Sequence, residues 1–173
     1  MRRLFAIVAV LIATVLVVSC SRGSVPAPSA APTAHVAAEA AWVRTTAGTK
    51  DPSMTAAFMT ILNNSEATVQ LTSVDCPGAG IVQLHQMVIQ SGKMVMQEIK
   101  GGIPVPAGTP TRLAPGGYHI MLMKLQKGFA IGDMVDLTLH FSDGGSLEVQ
   151  APVKQDAAQD LYKSPMPTTT ATS

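Results

Sequence analysis

From Val36 to Val153 the chain alternates apolar and polar positions in short runs, and turn residues separate the runs. The alternation predicts strands over Val36–Arg44, Met54–Leu62, Val69–Val74, Ile81–Gln90 and Lys93–Ile99. It predicts four more over Thr111–Leu113, Tyr118–Leu125, Met134–Phe141 and Ser146–Val153. Asn63-Asn64-Ser65, Pro77-Gly78, Ser91-Gly92, Pro115-Gly116-Gly117 and Asp143-Gly144-Gly145 are the turns. Gly101-Gly102 with Pro104, Pro106 and Pro110 breaks the pattern and reads as a connecting segment. No window shows a 3.6-residue period with caps, and only 156–163 could form a short terminal turn. Many short strands between glycine and proline turns predict an all-β chain, an antiparallel Greek-key β-sandwich.

The Ser91-Gly92 turn fixes a register. As the two-residue loop of a hairpin it pairs Gln90 with Lys93, Ile89 with Met94, Met87 with Met96 and His85 with Glu98. Every second residue of a strand shares a face. His85, Met87, Ile89, Met94, Met96 and Glu98 therefore lie on one side, and Leu84, Val88, Val95 and Ile99 on the other, the expected core side. Met96 is a diagonal neighbour of His85, about 7–8 Å away at the backbone. Further along, His119, Met121 and Met123 alternate with Ile120 and Leu122. Histidine and methionine again share a face that the aliphatic residues leave.

Composition adds an address. Arg2 and Arg3 precede an apolar run from Leu4 to Val18, and Val17-Val18-Ser19-Cys20 resembles a bacterial lipobox. Residues 1–19 read as a lipoprotein signal peptide, with Cys20 as the lipidated residue. Residues 20–35, rich in Ser, Pro and Ala, read as a linker, 36–155 as the folded domain and 156–173 as a disordered tail. The expected location is the extracytoplasmic cell envelope, lipid-anchored to a bacterial membrane. Lipidation of Cys20 leaves Cys76 as a single thiol, read as a small buried apolar residue. His35 reads as a solvated linker residue and His140 as a half-buried structural one. A net charge of +1 and 4% aromatic residues give nucleic acid nothing to hold.

The chemistry sits between His85 and Met123. That stretch carries two histidines, five methionines, no cysteine and a single acid, Glu98. Soft neutral donors without thiolate suit Cu(I) better than zinc, calcium or magnesium. Singly, each methionine reads as core filler; jointly, their shared face with two histidines is hard to assign to packing. A blue-copper electron carrier would need a Cys-His-Met cluster near the C-terminus, which the chain lacks. No Ser/His/Asp spacing or phosphate loop marks an enzyme. A β-sandwich that uses its methionines as an apolar docking patch for a protein is a further reading.

His85-Gln86-Met87, then Met96, then His119-Ile120-Met121 resembles the motif of the periplasmic copper chaperones of the PCuAC type. Ten residues separate His85 from Met96, as in that motif, and 86–95 fills the gap. The gap from Met96 to His119 is one residue longer than the motif's, and the surplus falls in the Gly101–Gly117 connection. Pro115-Gly116-Gly117-Tyr118-His119-Ile120-Met121-Leu122-Met123 is the most specific match; Ala57–Asn63, Ile103–Gly108 and Gly132–Val153 also match. The resemblance implies a cupredoxin-like sandwich holding one Cu(I) ion through His85, Met96, His119 and Met121, with Met87 and Met123 as auxiliary donors. It also implies delivery to the apo-CuA subunit of cytochrome c oxidase or another cuproprotein, alongside a Sco-type thiol-disulfide copper protein. Copper buffering without a dedicated recipient is the alternative use of such a site.

Overall fold

A computed structural model describes residues 35–156; the signal peptide, the lipobox with Cys20, most of the linker and most of the tail lie outside the described residues. Ten strands carry the described chain: β1 Val36–Arg44, β2 Met54–Asn63, β3 Val69–Asp75, β4 Ala79–Gln90, β5 Lys93–Glu98, β6 Ile103–Val105, β7 Thr111–Leu113, β8 His119–Leu125, β9 Met134–Phe141 and β10 Ser146–Lys154. No helix occurs among the described residues. One half of the sandwich runs β5-β4-β8-β2-β1, with β7 also on β2; the other runs β10-β9-β3-β6.

Nearly every pairing is antiparallel. The exception joins the two halves: β1 and β10 pair in parallel, Val43 opposite Val153 and Arg44 opposite Lys154. Antiparallel neighbours alone do not make this seam, which pairs the first strand with the last. The Arg44 guanidinium reinforces it with a 2.6 Å ion pair to Asp156.

The core follows the alternation. Ala57, Met59 and Ile61 of β2, Ile120 and Leu122 of β8, Leu71 of β3 and Leu137 and Leu139 of β9 are all sealed from solvent. Cys76 is buried among them, and burial pushes its thiol pKa up, away from reactive thiolate. His140 lies outside the core, half-buried, bonded to the Asp75 carboxylate at 2.8 Å.

Two expectations change. The connecting segment contains a strand: Ile103 and Val105 are fully buried, and β6 pairs with β3 on a sheet edge. Pro104 points away from the core there, and an edge strand tolerates the missing N–H. The expected core side of the first hairpin is core only near its base. Leu84 is buried and Val88 half-buried, but Val95 is 38% exposed and every residue of β5 faces solvent. β5 ends the sheet, so the tip of the hairpin has no partner on its outer edge.

Asn63 ties the two halves at the end of β2. Its side-chain amide donates to the carbonyls of Ala67 (2.8 Å) and Val105 (2.9 Å), and its oxygen accepts from the Ser65 amide and hydroxyl. The residue is 1% exposed. Asn63→Ala strands two carbonyls near the core and should lower the free energy of unfolding by about 2–4 kcal/mol, read from urea denaturation.

Candidate metal centre

Ser91 and Gly92 both have positive φ, 51° and 74°, the signature of a type I′ turn. This turn locks the register expected from the sequence: His85 opposite Glu98, Met87 opposite Met96, Ile89 opposite Met94. On its other side β4 pairs with β8, and there His85 stands directly opposite His119. The two rings meet edge to face, centroids 5.7 Å apart. Hairpin logic does not reach this opposition, because the Gly101–Gly117 connection separates the two strands.

The connection also explains how His119 is aimed. β7 and β8 run along the same edge of β2, at Met59–Ile61 and at Met54–Ala57 respectively. Between them the chain bulges out through Ala114–Tyr118. Pro115 fixes φ and Gly116 takes φ 82°, closed by the Gly117 amide donating to the Ala114 carbonyl at 3.0 Å. That is a type II turn, which needs a residue without Cβ strain at Gly116. The bulge presents the Gly117 carbonyl to two donors: the Met87 amide (3.3 Å) and Nδ1–H of His119 (3.0 Å).

The bond to Gly117 sets the tautomer of His119. With Nδ1 carrying the proton, Nε2 keeps its lone pair. His85 is set in the opposite sense: its Nε2–H donates to Oε1 of Gln83 at 3.1 Å, leaving the lone pair on Nδ1. Both lone-pair nitrogens, His85 Nδ1 and His119 Nε2, are buried without a hydrogen-bond partner. An orphaned buried acceptor ordinarily costs about 1–3 kcal/mol. Two on facing residues of adjacent strands are a paired set of neutral nitrogen donors.

Thioethers surround them. A cleft of about 500 Å³ is lined by Met54, Met87, Met94, Met96, Met121 and the His119 ring, with Pro115 and Gly116 on its wall and Phe58 beneath. The histidines form one row of the sheet; Met96 lies one row to one side of it, opposite Met87, and Met121 one row to the other side, opposite Gln83. Met87 adjoins Met96 and lines the same cleft. Met123 does not join them. It is two pleats beyond His119, about 14 Å along the strand, and faces Met54 and Ile81 instead. Among the described residues no three His, Cys, Asp or Glu side chains come together, so a metal held here must draw on sulfur from methionine.

Residues that the sequence did not single out support the site. Phe58 is 2% exposed although it points to the cleft side; it stacks on Trp42 at 4.6 Å and lies 6.4 Å from the His119 ring. Arg44 covers its outer side, 5.2 Å from the ring centroid. This aromatic shelf backs His119 with a rigid surface. Gln83 could have been found from its parity with His85; the shelf depends on strand order, which no local pattern shows. His35 stands apart: it is exposed, and its carbonyl accepts from the Asn64 amide.

Burial holds the His85 pKa below the ordinary 6.5; the neighbouring His119 pushes the same way, and Glu98 partly opposes. The unfolded chain therefore binds a proton more readily than the folded one. Stability from this group is complete above pH 6.5 and is lost as the pH falls through 6.5 towards the folded value. The metal-free protein should lose thermal stability as the pH falls below about 6.5, and His85→Gln should flatten that dependence in a series of melting curves.

Comparison with known proteins places this geometry. Residues 36–153 match the family model "Putative lipoprotein LpqE-like". The chain is 41% identical over 124 residues to "Putative lipoprotein Lxx21020" of Leifsonia xyli subsp. xyli (strain CTCB07), covering 71% of this chain and 72% of that protein. Among solved structures, the apo PCuAC domain from PmoF1 aligns with a TM-score of 0.58 at 20% identity, over 70% of this chain and 95% of that domain. The solution structure of CuI-DR1885 from Deinococcus radiodurans aligns with a TM-score of 0.55 at 28% identity, over 69% of this chain and 80% of that one. The cupredoxin-like sandwich expected from the sequence is the fold these PCuAC domains share with it.

Proposed function

This chain belongs to the LpqE-like family and has the fold of the PCuAC domains, and on that premise we propose that it is an extracytoplasmic Cu(I) metallochaperone. The observation that carries the reading is the pair of buried, partnerless imidazole nitrogens on facing residues of β4 and β8, with the His119 ring lining a cleft of thioethers. One Cu(I) ion is held by His85, Met96, His119 and Met121, with Met87 as an auxiliary donor. The likeness to a structure solved as CuI-DR1885 supports the choice of ion.

The donor set matches the proposed location. A thioether has no proton to lose and forms no disulfide, so it holds Cu(I) in an oxidising compartment where thiols pair. The remaining vulnerability is sulfoxidation, which turns a soft sulfur donor into a polar group. Each histidine must be neutral to bind, and burial keeps His85 neutral below its ordinary pKa. His85 therefore stays available as a donor in mildly acidic surroundings.

Accessibility favours handing the ion on. Met96 is 46% exposed and Met94 59%, on the last strand of the sheet. An incoming ligand can displace the outer thioethers one at a time while the histidines still hold. We assign delivery to a cuproprotein, the apo-CuA subunit of cytochrome c oxidase, with a Sco-type thiol-disulfide protein as co-worker and a lipid on Cys20 as the membrane anchor.

Anaerobic competition with a Cu(I) chelator should give one tight equivalent for the wild-type chain. His119→Ala should weaken it by more than about 100-fold, beyond the loss that outer partners of a metal site carry. Incubation of the loaded protein with the apo-CuA domain should then move the copper. Absence of tight binding sinks the reading; binding without transfer makes the protein a copper buffer instead.

A further inference from the structure

Met54 and Met123 fall outside the proposed copper sphere, yet the fold places them face to face. They are direct cross-strand partners in the β2–β8 ladder, with Ile81 of β4 completing the row. Directly opposed residues on one face have Cβ atoms about 4.5–5.5 Å apart, so two flexible thioethers can close on a single ion. Met54 is 39% exposed, and Ile81 36%. Met54 also lines the cleft that contains His119 and Met121.

The row lies one pleat beyond Met121, about 7 Å along the strand, and two pleats beyond the histidine pair. A metal seated over the histidines is out of reach of Met123. The same spacing makes Met121 a stepping stone, with the histidines on one side and the Met54–Met123 pair on the other. If exposed apolar bulk were all that this row required, leucine would supply it without a sulfur to oxidise.

We infer that Met54 and Met123 form a second, weaker station for a soft monovalent cation, Cu(I) or its analogue Ag(I), beside the cleft that Met54 lines. Two neutral thioethers offer nothing to zinc, magnesium or calcium, so the station is selective by softness alone. It lacks the imidazole nitrogens, so it binds less tightly than the histidine site and loads after it. Its place in a transfer sequence rests on the Cu(I) reading above: the ion passes between the histidine pair and solvent through Met121 and then the outer thioethers.

The test is a titration of the full chain, labelled with ¹³C at the methionine methyl groups, with Ag(I), read by NMR. The first equivalent should shift Met96 and Met121. A second, requiring at least about tenfold more free silver, should shift Met54 and Met123 together. Met54→Leu and Met123→Leu should each abolish the second step. Methyl signals of Met54 and Met123 that stay fixed through several equivalents overturn the station while shifts at Met96 and Met121 leave the chaperone reading standing. Signals of all four residues moving with the first equivalent overturn it too, because one site then accounts for everything. Silver that moves no methionine overturns both readings.

Discussion

The pairing of β4 with β8 is the constraint on which the site depends. It sets His85 opposite His119 and brings the Gly117 carbonyl to the end of the ladder, where it accepts from Met87 and from the His119 ring. Without the five-residue bulge at Ala114–Tyr118, β7 would continue into β8 as one strand and no carbonyl would be free for the ring. The bulge therefore serves the ring as well as the backbone. It chooses the tautomer, and the tautomer leaves the buried lone pair that defines the site.

How much of this could be read from the chain depends on the range of the interaction. The first hairpin was legible to the residue because a two-residue loop determines its own register. The sharing of one face by His119, Met121 and Met123 was legible from parity alone. The opposition of His85 and His119 was not, since it joins strands separated by β5, β6 and β7, and no local signal sets a long-range pairing. β6 was hidden because Pro104 argues against a strand wherever the edge position is unknown. The exposed tip of the first hairpin misled for a related reason. Alternation shows that a strand has two faces, but only strand order shows whether anything covers them.

The outer face of this half-sheet combines rigid and loose parts. Phe58 and Trp42 stack behind the buried His119 ring, and Arg44 closes the stack from outside. On the other side, Met94 and Met96 sit on an uncovered edge strand. The His119 ring is thus held by a hydrogen bond and aromatic packing, whereas Met94 and Met96 keep the rotamer freedom of exposed methionines. This face has a fixed half and an adjustable half, and the adjustable half faces the solvent.

The parallel seam between β1 and β10 also sets an order of events. Arg44 and Asp156 are 112 positions apart, so the joint between the two half-sheets closes one of the longest loops in the chain. Loop closure of that length is entropically slow to find. In a chain emerging N-terminus first, Asn63 can tie the half-sheets through the Val105 carbonyl before the last strand completes their ladder. The backbone ladder between the two half-sheets is therefore the last part of the sandwich that such a chain can complete.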